Sequence, residues 1–311
     1  MRRTWGRAGG SLPILRLVNG SMANSNNSTI VIRDIQTFDE IRQVESLERE
    51  VWRLDDIDVT SATMLIACKE AGSILVGAFD GKQMAGFAFG FLGRENGRTM
   101  IHSHMLAVGE AYRDHDLGYR LKLAQRERAL AIGIREMTWT FDPLQSRNAH
   151  LNFAKLGVVS DSYRVDFYGP QTSSILHQNS TDRLWVRWPM ASRRVDRRLK
   201  GVSSRAETLE VVANVAPLVR FNAKGQPDRD NLDEALSRQR VAIEIPSDIL
   251  TVEQRDTALA REWRQATRWA FAETIRCGFF VAEFCGLVRG KQGPGVYILE
   301  KGPITAQVPD M

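Results

Sequence analysis

The chain has 311 residues, of which 43% are hydrophobic and 25% are charged. This length and composition allow a sizeable buried core, favour two compact units over one and argue against a wholly disordered protein. The formal net charge of +5 is a mild basic excess, and no basic run is interleaved with aromatic residues. The sequence therefore does not indicate nucleic acid as a partner.

The three cysteines, Cys68, Cys277 and Cys285, are widely spaced and form no Cys-x-x-Cys pair. This spacing indicates neither a disulfide framework nor a zinc site, and it favours a reducing, cytoplasmic setting with buried thiols. No stretch reads as an uncharged membrane span, so we expect no membrane partner. A homo-oligomer is compatible with the sequence.

Residues 1–28 contain four arginines and no acidic residue. We expect a disordered tail here, with Met22 as an alternative start of the protein. An organelle-targeting peptide is the competing interpretation, because such peptides also contain arginine and serine and few acidic residues.

Hydrophobic periodicity is readable from Thr29 onward and predicts a first unit over 29–190. In chain order the predicted elements are a strand at 29–35, a helix at 38–53, a hairpin at 73–92 around Asp80-Gly81, a strand at 99–108, a helix at 118–133, a strand and a short helix within 137–157, and strands near 158–169 and 182–188. This order predicts an α/β arrangement with a mixed sheet flanked by helices.

A smaller α/β unit is predicted over 206–311, after a linker at 191–205 that has almost no large apolar side chain. Its predicted elements are strands at 208–221, 241–246, 279–284 and 295–301 and a helix at 259–278. The order of strand, helix, strand and strand echoes the later half of the first unit. Because no sequence motif of the first unit repeats in the second, an internal duplication is only a hypothesis.

The junction between strand and helix at 104–122 has the features of a phosphate site. A strand that turns tightly into a helix leaves backbone N–H groups and the positive end of the helix dipole free to bind an anion. Arg113, Arg120 and Lys122 add positive charge nearby. The turn lacks the three-glycine pattern of dinucleotide-binding folds, which disfavours that class.

Around this turn the sequence resembles the GNAT (N-acetyltransferase) superfamily. Residues 113–118, Arg-x-x-Asp-x-Gly, are similar to the acyl-CoA turn of that family, Arg/Gln-x-x-Gly-x-Gly/Ala. Asn148-Ala149 and 155–157, Lys-Leu-Gly, resemble the helix that follows its fifth strand. The stretches TFDPLQSRNA, DRLWVRW, IEIPSDI and WRQATRWAF resemble a branch of predicted GNAT-like proteins with an appended C-terminal unit.

The resemblance implies a GNAT-like mixed sheet in which a splay between the fourth and fifth strands holds the pantetheine arm of CoA. It implies transfer of an acyl group, preferably acetyl, from acetyl-CoA as co-substrate to an amine of a small molecule. A catalytically silent module that binds acyl-CoA or a metabolite is the alternative. The cofactor-binding residues that it implies are Leu106, Ala107, Val108, Arg113, Leu117, Gly118, Tyr119 and Asn148.

Two positions depart from the family pattern. Asp116 stands where glycine is usual, and aspartate tolerates a positive φ less well and brings a negative charge, worth roughly 1–4 kcal/mol of repulsion near a pyrophosphate. Helix capping by Asp114 or Asp116 is the simpler interpretation. Phe153 stands where many relatives carry the tyrosine that protonates the leaving thiolate, and phenylalanine has no proton to give.

His102 and His104 are the candidates for the general base. They stand two apart on the predicted fourth strand and share one face, and a neutral imidazole suits proton removal from an ammonium. Packing in the core and a two-histidine metal pair are the alternatives, and no third metal ligand is evident. The resemblance implies the backbone N–H of Leu106 or its neighbour as the oxyanion donor.

Further candidates flank the corner at 141–144. Asp142 precedes a proline, which keeps it extended, and substrate contact is one expectation for it. Asn148 is expected to contact CoA or to cap the helix. Tyr168 and Tyr163 are candidate replacement acids, and packing in a strand is their alternative role.

In the second unit, Arg261, Arg264 and Arg268 share one helical face. Arg264 and Arg268 are our candidates to bind a carboxylate of the acceptor, because arginine recognises carboxylates bidentately. A solvated face with ion pairs is the alternative. Trp263 and Trp269 are expected to anchor this helix to the sheet of the first unit.

Overall fold

The structure is a computed structural model, and it describes residues 30–95, 97–113, 115–169, 174, 179–202, 214–286 and 294–307. The predicted tail at 1–28, residue Asp114 and positions 208–213 of the predicted strand at 208–221 lie outside the described residues. No described helix combines the length and the apolar composition that a membrane crossing requires.

The first unit is built on a sheet whose strands are β1 (Val31–Asp34), β2 (Ile74–Asp80), β3 (Gln83–Glu95), β4 (Arg98–Val108), β5 (Glu136–Phe141), β6 (Val159–Arg164) and β7 (Arg183–Pro189). Their spatial order is β1-β2-β3-β4-β5-β7-β6. The β4–β5 pair is parallel, and the other neighbours are antiparallel. The predicted mixed sheet is therefore confirmed.

Helices cover both faces of this sheet. Helix α1 (Phe38–Trp52) begins at a capping box formed by Thr37 and Glu40, and α2 (Ala62–Glu70) begins at the cap Ser61. The apolar sides of α1 and α2 pack on one face, and α3 (Leu117–Ala131) packs on the other. The sequence did not predict α2, because only Ala62 and Leu65 of this helix are buried and no apolar stripe marks it.

After β5 the chain forms α4 (Ser146–Ala149), which continues as a π-helical segment, His150–Leu156. Gly157 ends this segment with a φ of +76°. A Cβ at Gly157 would lie 2.9 Å from Cγ of Arg198, so both the backbone angle and the space require glycine.

Residues 193–199 of the predicted linker form a helix, α5 (Arg193–Leu199). Its Val195 is fully buried, and Arg194 and Arg198 both form ion pairs with Glu283. This part of the segment is thus a packed element, which local composition did not predict because its partners are distant in sequence. The boundaries of the two units remain a prediction.

The second unit has strands β8 (Pro217–Phe221), β9 (Pro227–Arg229), β10 (Arg240–Ile245), β11 (Phe279–Cys285) and β12 (Gly295–Lys301) in the order β11-β12-β10-β8-β9. Its helices are α6 (Leu232–Ser237), α7 (Ile249–Arg255), α8 (Thr257–Arg276) and α9 (Ile304–Gln307). Strand β11 pairs with β6 through Val281 and Ser160. The two units therefore share one continuous sheet.

The expectation that Trp263 and Trp269 anchor α8 to the first unit is wrong. Trp263 lies 4.3 Å from the ring of Phe221 and donates a hydrogen bond to the carbonyl of Gly225, both in the second unit. Trp269 stacks under the guanidinium of Arg229. The tryptophans fall on the side of α8 that faces its own sheet, because the helix turns its arginine side towards the first unit.

Candidate active site

The first sheet opens between β4 and β5. These strands pair only through Ile101 with Met137 and His102 with Thr138, and beyond these pairs they separate. Strand β4 also bulges next to this point, since Phe89 pairs with Met105 whereas Phe91 pairs with His102. The strands thus leave a gap whose closed end lies at residues 102 and 138.

A cavity of about 460 Å³ passes through this gap. Its walls come from α1 and the loop after it, from both strands, from the corner after β5 and from α4. The residues that line it include Glu48, Ser103, His104, Leu106, Lys122, Trp139, Asp142, Asn148, Tyr168 and Arg183. Five residues that the sequence predicted (His104, Leu106, Asp142, Asn148 and Tyr168) are therefore brought together.

His102 has the environment of a packed side chain. It is buried, its Nδ1 lies 3.0 Å from Oγ1 of Thr138, and its ring stacks on Trp185 at 4.8 Å. Burial, together with the charges of His104 and Lys122, lowers the pKa of His102 to about 4. Among the described residues, no group of three or more histidine, cysteine or acidic side chains is arranged to hold a metal ion.

His104 lies on the same face and opens into the cavity. Its ring centroid is 6.3 Å from that of His102 and 5.9 Å from that of Phe91. The side chain is accessible from the cavity, yet the surrounding protein removes much of its bulk solvent, and this burial lowers the pKa of His104. Its imidazole is therefore neutral at pH 7.

Glu48, on α1, is a cavity residue that the sequence analysis missed. Its side chain is 1% exposed, Oε2 accepts a hydrogen bond of 3.0 Å from the backbone N–H of Thr60, and Oε1 has no partner among the described residues. Burial raises the pKa of Glu48 to about 7, against the opposing effect of the Thr60 hydrogen bonds. An acidic residue four positions after Val44, inside the apolar stripe of α1, is the signal that marks it.

Lys122 lies inside the protein, whereas the sequence analysis placed it near the phosphate turn. The side chain is 3% exposed, and its Nζ donates a hydrogen bond of 2.7 Å to Oγ of Ser103 and lies 3.7 Å from the ring centroid of Trp139. Burial lowers the pKa of Lys122 well below its usual value. Its position, one turn into α3, directs it towards the sheet and away from the turn.

At the predicted phosphate turn the backbone adopts the left-handed conformation that glycine favours. Asp116 precedes α3 with a φ of +53°, and its side chain forms no capping hydrogen bond. The capping interpretation is therefore wrong for Asp116, whose carboxylate accepts a bond of 2.7 Å from Lys155 instead. Arg113 is exposed beside the turn, and Leu117 is buried beneath it.

Phe153 belongs to the core, with its ring 6.2 Å from Phe141 and 5.8 Å from Tyr297. Tyr168 reaches the cavity, and its hydroxyl lies 3.2 Å from Oγ1 of Thr140. Tyr163 instead donates a hydrogen bond of 2.6 Å to Asp182 beneath the ring of Phe271 and does not line the cavity. Of the two candidate acids, Tyr168 alone borders this cavity.

The two arginines predicted to bind an acceptor carboxylate are occupied by carboxylates of this chain. Arg264 donates two hydrogen bonds of 2.7 Å to Asp142, and Arg268 donates two of 2.8 Å to Asp182. Burial opposes the charge of Arg264, but Asp142 outweighs it, so the pKa of Arg264 is raised. The geometry favours the ion-pair interpretation, because α8 packs directly on the corner after β5.

Asn148 is exposed towards the cavity and lies within α4, whose N-cap position is Gln145. The capping interpretation of Asn148 is therefore wrong. Asn148 lines the cavity together with Leu106 and Leu151, and its contact with a bound CoA arm stays a prediction.

No family model and no curated protein matches this sequence. Solved structures to which the chain is similar include acetyltransferases. One is a GNAT-family acetyltransferase from Streptococcus pneumoniae (18% identity, 51% of this chain and 98% of that chain, TM-score 0.41). Another is an aminoglycoside 6'-acetyltransferase type Ii (19% identity, 52% of this chain and 99% of that chain, TM-score 0.42). A third is the NatC complex bound to Gag peptide and CoA (16% identity, 51% of this chain and 98% of that chain, TM-score 0.42).

Proposed function

We propose that the protein is an acyl-CoA-dependent N-acyltransferase that uses acetyl-CoA as co-substrate and acylates an amine of a small molecule. The observation that supports this most is the cavity that passes through the gap between β4 and β5. An opening through a sheet lets a thioester arm enter on one side and an amine approach from the other. Holding both reactants in one cavity lowers the entropic barrier to their reaction.

The donor arm would run along the edge of β4 that β5 leaves unpaired, over residues 106–108. Its phosphates would lie at the N-terminus of α3, where free N–H groups and Arg113 favour an anion. The carboxylate of Asp116 opposes this charge, and Lys155 already neutralises part of it. Asn148 would contact the arm from the opposite wall.

Glu48 is the residue that we assign as the proton acceptor. An incoming ammonium must lose a proton before its nitrogen can attack the thioester carbon, and a carboxylate with a pKa close to 7 is matched to this task. His104, neutral and open to the same cavity, is the second candidate for this role. When the carbon–sulfur bond breaks, the phenol of Tyr168 would supply a proton to the leaving thiolate.

A binding module without turnover is the competing function, and the absence of a proton donor at Phe153 favours it. Calorimetry with acetyl-CoA, followed by measurement of thiol release across a panel of amines, separates the two. Binding with amine-dependent thiol release supports the transferase. Binding without release from any amine supports the module, and no binding contradicts a transferase that uses acetyl-CoA.

A further inference from the structure

The closed end of the gap contains a buried cluster of hydrogen-bond donors. Lys122 donates to Oγ of Ser103 at 2.7 Å, and this hydroxyl donates to Oε1 of Gln125 at 2.8 Å. The amide nitrogen of Gln125, which is fully buried, has no hydrogen-bond partner among the described residues. The cluster therefore has more donors than acceptors.

The charge of this cluster is also unbalanced. No ion pair of the described residues includes Lys122, in contrast to the arginines of α5 and α8. A buried ammonium without a carboxylate is costly, so burial lowers the pKa of the Lys122 amine well below its usual value. A carboxylate that entered the cavity would favour the protonated form of the Lys122 amine and accept a charge-assisted hydrogen bond from it.

The position of the cluster matches one end of a bound donor. Ser103 directly follows the last residue of β4 that pairs with β5, and Trp139 directly follows the corresponding residue of β5. Lys122 contacts both residues and lines the cavity. An arm lying along residues 106–108 points its acyl end towards this closed end of the gap.

We propose that Lys122, which the hydrogen-bond chain through Ser103 to Gln125 positions, selects acyl donors whose acyl group ends in a carboxylate, such as malonyl-CoA or succinyl-CoA. This inference rests on the proposed acyl-CoA-dependent transferase and makes a carboxylated acyl-CoA, in place of acetyl-CoA, its preferred donor. A neutral acyl chain offers Lys122 no further acceptor, whereas a terminal carboxylate in the cavity has lone pairs for its Nζ. The acyl group is transferred unchanged in the same step, so its carboxylate takes no part in bond making.

The experiment compares donors of equal length by calorimetry on the full chain. Succinyl-CoA and butyryl-CoA both have four acyl carbons and differ at the terminal carboxylate, and acetyl-CoA serves as the short neutral donor. We expect succinyl-CoA or malonyl-CoA to bind at least about tenfold more tightly than either neutral donor, the ordinary worth of one charge-assisted bond. Lys122→Met should abolish this preference, so that succinyl-CoA and butyryl-CoA bind equally tightly.

Lys155→Met is the matched control, because Lys155 is an exposed lysine at the phosphate turn and should affect all donors alike. If the wild-type protein binds butyryl-CoA as tightly as succinyl-CoA, the selection by Lys122 is refuted and the proposed transferase stands. If none of the donors binds, both fail. If Lys122→Met does not fold, the comparison of donors on the wild-type protein decides alone.

Discussion

Charged side chains are buried both at the cavity wall and where α8 contacts the corner after β5, but the two places differ in how these charges are paired. At the corner, Arg264 and Asp142 satisfy each other through two bonds of 2.7 Å. In the cavity, Glu48 keeps one oxygen without a partner and Lys122 has no carboxylate among the described residues. Buried charge that is fully paired holds units together, whereas buried charge left unpaired beside a cavity is suited to a substrate.

The largest effect is expected at Glu48. Glu48→Gln should lower turnover by about 10²–10⁴-fold, because it removes the proton acceptor and keeps the shape of the side chain. Glu70→Gln, on the exposed side of α2, is the matched control and should leave turnover unchanged. If Glu48→Gln retains full turnover while His104→Gln loses it, His104 is the base.

The pH dependence of turnover distinguishes these two candidates independently. Glu48 acts as a base only when ionised, so turnover should fall as the pH drops through about 7. The pKa of His104 is lowered from 6.5, so if His104 is the base, the acidic fall in turnover should appear below pH 6.5. This acidic fall in turnover should vanish only in the variant, Glu48→Gln or His104→Gln, that lacks the base.

Arg264→Met should cost about 3–5 kcal/mol of unfolding free energy, because it leaves the carboxylate of Asp142 buried and unpaired. Chemical denaturation measures this loss. Arg261→Met, on the exposed side of the same helix, should stay within about 0.5 kcal/mol of the wild type. Equal stability of the two variants would mean that the corner pair does not hold α8 in place.

His102→Gln should cost about 0.5–3 kcal/mol through lost packing on Trp185, with turnover of the folded protein unchanged. The pKa of His102 is about 4 in the folded protein and near 6.5 in the unfolded chain, so its neutral form stabilises the fold above pH 6.5. Wild-type stability should fall as the pH drops from 6.5 to 4, and the variant should lose less over this range. A lower turnover with normal stability would instead place His102 in the reaction.

The smallest effect is expected at the phosphate turn. Asp116→Gly should tighten CoA binding by roughly fivefold, about 1 kcal/mol, because it removes a negative charge, suits the φ of +53° and releases Lys155 to the phosphates. Asp116→Asn removes the charge and keeps a side chain at this angle, so it should show a smaller gain. Unchanged affinity in both variants would mean that the turn does not contact phosphate.

Several elements were predictable because their signals are local. The apolar stripe of α1, the hairpin at Asp80-Gly81 and the end of α3 before Gly133 agree with the structure within a few residues. The gap between β4 and β5 was anticipated through a family resemblance rather than through periodicity. Helix α5 was missed because its stabilising partner, Glu283, lies in the other unit.

The sequence by itself determined the order of the elements, since periodicity, caps and turns act over a few residues, whereas the closeness of β4 and the corner was expected only from the family resemblance. Only the tertiary structure decided which charged groups are free to act. Asp142 and Arg264 were both expected to meet a substrate, yet they are each other's partner across a long stretch of chain. Glu48 looked like an ordinary helix residue and Lys122 like a positive charge near the phosphate turn. Burial beside the cavity raises the pKa of Glu48 and lowers that of Lys122, because desolvation depends on the fold around them and not on their neighbours in sequence.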